Sequence, residues 1–309
     1  MKIGRGVAFF IGMIFSGEAS ANEARTWSAD MQIEDSKTAR ACAALGPGFH
    51  AVDRSRLCFN GFIIDFTVAP LIKAIDALAD KLDVRPVLII NSIGGEVHAA
   101  MDVGRALDRK NVRLVVSEQC VSSCVNYIFS AAPSVGVLPN SLVLLHGSLH
   151  RNRNDFAYVE LIGKGVTRDE LNKDMQPYYD AWDRYAEYAR DDLKRENDFF
   201  IDVQLDEQYL HRYVSVYENS TLHQGIKCQR KKGIILAISP EYFSRYRPES
   251  IDYFWFPTFD ETGEALKTYP DLKETYDFYF GDELHPRWVV ETGLVSPDDC
   301  SDDLARQPR

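Results

Sequence analysis

Apolar positions in the first half of the chain follow two different spacings, and these predict the elements. Residues 57–66 alternate apolar and polar, as a half-buried strand does. Residues 70–82 place Leu71, Ile72, Ile75, Leu78 and Leu82 at helical intervals. A continuous apolar run over 87–90 predicts a second strand, and 96–109 return to helical spacing through Val97, Met101, Val103 and Leu107. A strand over 112–116, a helix over 125–131 and a strand over 141–145 complete the series. Upstream, a short helical stretch from residue 39 is broken at Gly46-Pro47-Gly48. Strands alternate with helices, so the predicted fold class is α/β with a mainly parallel sheet. Such sheets collect their functional residues at the carboxyl ends of the strands.

Beyond residue 146 the pattern changes. Residues 148–155 are polar and read as a loop. Residues 167–195 read as one long helix with Thr167 as N-cap and Asp169 and Glu170 in its first turn. Tyr178, Tyr179, Trp182, Tyr185 and Tyr188 recur on it at intervals of about three and four, a packing stripe rather than a ligand platform. A basic cluster, Lys227, Arg230, Lys231 and Lys232, precedes an apolar run over 234–238. Residues 240–290 mix aromatics with prolines and acids and show no repeat. The expected organisation is therefore a leader over 1–21, an α/β domain over 22–225 and an aromatic-rich accessory region over 226–309.

The leader is expected from Lys2 and Arg5 ahead of an apolar run over 6–15, followed by Ala19-Ser20-Ala21. That run is short for a membrane span, so a signal peptide cleaved after Ala21 is the expectation, with a periplasmic or secreted destination. Disorder is expected at the ends, over 22–37 and after Pro297. The formal net charge of −11 disfavours nucleic acid and anionic membrane surfaces as partners. The six cysteines, Cys42, Cys58, Cys120, Cys124, Cys228 and Cys300, form an even set that suits an oxidising compartment. Short separations favour Cys42 with Cys58 and Cys120 with Cys124, leaving Cys228 for Cys300. No histidine lies beside the close pair in sequence, so no metal site and no cofactor are expected.

The chemistry-bearing residues sit where the predicted strands end. After 87–90 comes Asn91-Ser92-Ile93-Gly94-Gly95, whose glycines allow a turn that presents free N–H groups. The next strand leads to Cys120-Val121-Ser122-Ser123-Cys124 at a helix start, where a hydroxyl feels the positive end of the dipole. The strand over 141–145 runs into His146. A nucleophile, a base and N–H donors in separate segments are the minimum for acyl transfer. His150 is a second histidine nearby, but it lies inside the polar loop.

These motifs resemble the proteolytic subunit of the Clp protease and the wider ClpP/crotonase superfamily. The matching residues are Ile90-Asn91-Ser92, Gly94-Gly95, a serine between Cys120 and Cys124, and Pro139-Asn140-Ser141 followed by His146. Phe59-Asn60-Gly61-Phe62-Ile63 is similar to the superfamily's opening strand and turn. The resemblance covers roughly residues 57–147. Ile93 departs from it by replacing a proline, and the paired cysteines replace a run of small residues. Counting from Val112 puts the nucleophile on Ser122, whereas counting from the glycines drifts toward Cys124. The cysteine flanks are similar to a periplasmic branch with a CxSxC-type motif, which favours Ser122.

The resemblance implies an exported serine peptidase in which Ser122 attacks and His146 is the base. Gly94 or Gly95, with Ser123, would supply the oxyanion donors. It places an acid somewhere near Asp192, Asp198 and Asp202, among which the sequence does not choose. The implied partner is a peptide or protein substrate, and homo-oligomerisation stays open. The competing class is a catalytically inactive scaffold or binding protein on the same fold. A coenzyme-A-dependent crotonase activity is disfavoured by the export signal.

Overall fold

The computed structural model describes residues 18–79, 84–145, 176–206, 209–210, 233–247, 250–255, 276–280, 287–290 and 293–295. The expectations for His146, His150, the loop over 148–155, the basic cluster, Cys228 and Cys300 lie outside the described residues.

Four parallel strand segments make the heart of the sheet: β2 (Arg56–Asn60), β3 (Val87–Ser92), β4 (Arg113–Val121) and β6 (Leu142–Leu145), side by side in that order. A short antiparallel strand, β1 (Gly48–Ala51), flanks β2. β4 changes partner along its length. Its first half, Leu114 to Val116, pairs with β5 (Val135–Val137), and its second half, Gln119 to Val121, pairs with β6. Between the halves Glu118 has φ +73°, and on the facing edge the register with β3 slips between Ile90 and Ser92. The fold class is α/β with a mainly parallel sheet, as the alternation of spacings predicts. The C-terminal strands join the same sheet: β7 (Gly233–Ala237) pairs antiparallel with β6, and β8 (Ile251–Phe254) parallel with β5. β9 (Tyr276–Phe280), β10 (Arg287–Val290) and β11 (Gly293–Val295) continue outward from β7.

Helices α2 (Asp65–Asp76) and α3 (Val97–Arg109) cover one face of the sheet, with a π-helix at Cys124–Phe129 packed on α3. The helical face read from sequence is the buried one: Leu71, Ile75, Met101, Val103 and Leu107 are fully enclosed. The opposite face carries Val87, Ile89 and Val115 beneath Ala39 and Cys42 of α1 (Glu18–Leu45).

Several boundaries differ from expectation. The strand over 57–66 stops at Asn60, because Gly61 turns the chain at φ +147° and α2 begins at Asp65. The segment expected to be disordered, 22–37, lies within α1, and the helix expected from residue 39 is its C-terminal part. What fixes α1 is polar and covalent, so no apolar stripe announced it. Asp35 is buried and accepts two hydrogen bonds from Arg113, each 2.6 Å, and a third from the Tyr253 hydroxyl at 2.6 Å. Cys42 is disulfide-bonded to Cys58 of β2.

The single helix expected over 167–195 is, within the described residues, two helices. α4 (Gln176–Tyr188) and α5 (Arg190–Asp202) meet at Ala189, whose ψ of 11° departs from a helical value. Tyr188, the last residue of the expected aromatic stripe, is 91% exposed rather than packed. Residues 197–202, expected beyond the helix, belong to α5. In the C-terminal part, Tyr242 and Phe243 of the short helix α6 (Pro240–Ser244) are buried against Tyr209 and Phe129, so these aromatics pack the core.

Candidate active site

Three segments meet at the carboxyl ends of β3, β4 and β6. β4 ends at Val121, and the chain reverses through Ser122, which adopts φ +59° before the π-helix begins. A residue with a Cβ costs about 1–2 kcal/mol in that left-handed conformation, so the surroundings must hold it there. They do so from two sides. The Ser122 N–H donates to Leu144 O of β6 at 3.0 Å, and the Ser122 carbonyl accepts from Asn126 N–H at 2.9 Å. A disulfide joins Cys120 to Cys124 across the turn, with both residues buried. The sulfur of Cys124 is therefore not a free thiol, and of the two alternatives only Ser122 retains a nucleophile's proton. Ser122 is half-buried, whereas Ser123 is enclosed and its hydroxyl has no hydrogen-bond partner among the described residues.

The glycine turn sits directly against this reversal. A Cβ built on Gly94 would lie 2.6 Å from Val121 O and 2.8 Å from the Ser122 Cβ, so only glycine permits the approach. One built on Gly95 would collide with the Ile63 carbonyl. The turn is pinned from the α2 side. Ile63 N–H donates to Gly94 O at 2.9 Å, Glu96 N–H donates to Ile63 O at 2.7 Å, and the Glu96 carboxylate accepts from Asp65 N–H at 3.1 Å. The two candidate oxyanion donors differ. Gly94 N–H is engaged, donating to Ser92 Oγ at 3.0 Å, while Gly95 N–H makes no hydrogen bond among the described residues. Phe62 and Phe66, 60% and 76% exposed, flank the α2 side of this turn.

The base candidate, His146, follows Leu145, the last described residue of β6. The geometry therefore brings together Ser122, Ser123, Gly94 and Gly95, and leaves the histidine outside the described residues. The three acid candidates stand on the exposed side of α5, each engaged elsewhere. Asp192 lies 3.0 Å from Nε2 of His98, Asp198 2.7 Å from Lys194, and Asp202 2.8 Å from Arg105. The inward carboxylate of α5 is Glu196, which is fully buried and accepts from the Tyr127 hydroxyl of the π-helix at 2.6 Å. Sequence reading passed over it. Its signal was present in the shared helical face of Glu196, Phe199, Phe200 and Val203, all buried. Among the described residues no group of histidine, cysteine and carboxylate side chains could hold a metal ion.

No family model matches the chain, and no curated protein does. Solved structures do. A point mutant of ClpP1 from Listeria monocytogenes matches with a TM-score of 0.34 and 15% identity, over 68% of this chain and 95% of that one. ClpP1 from the same organism matches at 0.29 and 19%, over 40% and 79%. Similarity at this level carries no weight for the chemistry, which rests on the chain's own residues.

Proposed function

We propose that this protein is an exported serine peptidase in which Ser122 is the nucleophile and His146 its base. The observation that carries the reading is the close approach of Gly94 to Ser122. It sets a strained, half-buried serine against a glycine turn whose Gly95 N–H is open, at the start of a helical segment. In this reading the Ser122 hydroxyl loses its proton to His146 and attacks the scissile carbonyl. The resulting oxyanion accepts hydrogen bonds from the N–H groups of Gly95 and Ser123. Gly94 serves as the packing residue of the turn rather than as a donor.

Two disulfides support an oxidising compartment, in line with the leader expected over 1–21. The exposed Phe62 and Phe66 beside the turn suit an apolar side chain of a peptide. The competing reading, a scaffold without activity, draws on one observation: Asp192, Asp198 and Asp202 are each paired with a surface cation or histidine. A fluorophosphonate probe on the purified protein, with mass spectrometry to locate the label, separates the two. Labelling at Ser122 that disappears in Ser122→Ala and His146→Ala, both still folded, is the expected result. No labelling of folded wild-type protein overturns the peptidase reading and favours the scaffold.

A further inference from the structure

The Cys120–Cys124 disulfide closes a short loop with Ser122 at its centre. Its two ends stand on different supports. Cys120 lies in β4, opposite Ser92 of β3 on one side and Val143 of β6 on the other, and Cys124 is the first residue of the π-helix. Their Cα atoms are 5.3 Å apart, inside the roughly 4.4–6.8 Å that a disulfide allows, whereas four residues of continued strand would carry them about 13 Å apart. The bond therefore admits the reversal and forbids the strand to run on. Without it, Ser122 at φ +59° rests on two backbone hydrogen bonds, from its N–H to Leu144 O and from Asn126 N–H to its carbonyl. A conformation that residues with a Cβ avoid then has a way out. Leaving it moves the Ser122 hydroxyl and the Ser123 N–H together, away from their setting against Gly94. The other disulfide has no such reach. Cys42–Cys58 ties α1 to β2 within the small core beneath α1, separate from the main core that holds Cys120 and Cys124.

We propose that the Cys120–Cys124 bond is an activation lock: the dithiol form folds with its nucleophile misplaced, and oxidation sets Ser122 in position. The proposal rests on reading Ser122 as the nucleophile, and the two cysteines are positioning residues that act through it. The step is thiol–disulfide exchange with an oxidant that carries a disulfide. One cysteine thiolate attacks the oxidant and releases a first thiol, and the other cysteine then attacks the mixed disulfide and releases the second. Two protons and two electrons pass to the oxidant, which leaves as two thiols. Burial makes the step one-way. Both cysteines are fully enclosed once bonded, as are Val121 and Ser123, and Ser122 is the residue of the loop that solvent reaches. An external thiol meets the serine of the finished turn and not its sulfurs. A peptidase built in this way stays silent where disulfides do not form and switches on where they do.

Two full-length double variants and a time course test the lock. Cys120→Ala/Cys124→Ala and Cys42→Ala/Cys58→Ala are compared with wild type by circular dichroism, which establishes folding, and by fluorophosphonate labelling over a range of probe concentrations. In the first variant the maximal labelling rate should fall at least about tenfold at an unchanged half-saturating concentration, as misplacement of a reacting group implies. The amides of Ser122 and Ser123 should also exchange hydrogen faster in it. The second variant should melt lower still yet label like wild type, so that lost stability does not account for the first. Wild-type labelling of folded Cys120→Ala/Cys124→Ala overturns the proposal, and so does an equal loss in both variants. If the first variant does not fold, wild-type protein purified under reductant and then given oxidised glutathione decides. Its labelling should rise in step with the loss of alkylatable thiols at Cys120 and Cys124, and full labelling before that loss overturns the lock. No labelling of fully oxidised wild-type protein strikes the peptidase reading. The exchange rates judge the lock without turnover, and rates unchanged by removal of the bond overturn it.

Discussion

Replacing Gly94 by alanine tests the central geometry, and its cost can be worked from the structure by comparison with Gly46→Ala. Both glycines are left-handed, at φ +95° and +82°, so both alanines carry the backbone penalty of about 1–2 kcal/mol. At Gly46, just past the end of α1, nothing lies within 4 Å of the added carbon, and the penalty is the whole effect. At Gly94 the added carbon meets Val121 O at 2.6 Å and Ser122 Cβ at 2.8 Å, and Ser123 N at 3.1 Å. Two of these neighbours are backbone atoms held by β4 and the π-helix, so they yield only if the reversal at Ser122 moves. Overpacking of this kind adds about 1–3 kcal/mol, for a total of about 2–5 kcal/mol at Gly94. Urea denaturation of both variants gives the difference, and fluorophosphonate labelling of the folded fraction reads the position of Ser122. Gly94→Ala should be the less stable by at least about 1 kcal/mol and should label at least about tenfold more slowly, whereas Gly46→Ala should label like wild type. Equal stabilities together with wild-type labelling of Gly94→Ala would refute the close approach and, with it, the argument for the site.

Four further outcomes follow from contacts elsewhere. Asp35→Ala leaves the Arg113 guanidinium buried with Asp252, at 3.6 Å, as its remaining ion partner among the described residues, and should cost about 3–5 kcal/mol in chemical denaturation. Tyr253→Phe removes one hydrogen bond to the same carboxylate and should cost about 1 kcal/mol. Loop-closure entropy ranks the disulfides: breaking Cys42–Cys58, with a separation of 16, should cost about 3 kcal/mol, and breaking Cys120–Cys124, with a separation of 4, about 2 kcal/mol. Melting temperatures of the paired Cys→Ala variants check that order. The Ser55 N–H, with Arg56 adding to it, holds the Asp53 carboxyl down from 3.8 to about 2. A depressed carboxyl stabilises the fold above its unfolded value and loses that contribution as pH falls through its folded value. Asp53→Asn should therefore flatten the acid side of the stability profile between pH 4 and 2, by less than about 1 kcal/mol because the site is open to solvent.

How much was legible in the sequence depended on how each element buries itself. α2, α3 and the strands β2, β3, β4 and β6 bury methyl groups at regular intervals, and that spacing was enough to find them, whereas the three-residue β5 was too short to show one. The glycine turn and Ser122 were legible because close backbone approach demands particular residues in a particular order. α1 was not legible. Its inner face relies on Asp35, Thr38, Ala39 and Cys42, and a buried aspartate reads as solvent-facing until Arg113, 78 residues away, is brought to it.

Glu196 shows the same blindness at greater consequence. Its neighbours Lys194, Arg195, Asn197 and Asp198 make the segment look uniformly solvated, so attention fell on the aspartates that solvent and surface cations do satisfy. Yet a helix has one inner face, and Phe199, Phe200 and Val203 had already defined it. A carboxylate on that face is enclosed, and an enclosed carboxylate needs donors. Tyr127 supplies one, from the π-helix that begins two residues after Ser122. The contact ties α5 to the segment that holds the nucleophile. The three aspartates weighed from the sequence, Asp192, Asp198 and Asp202, all stand on the exposed side of α5 and Glu196 on its inner side, a distinction composition does not make because it weighs a charge without knowing which way its helix faces.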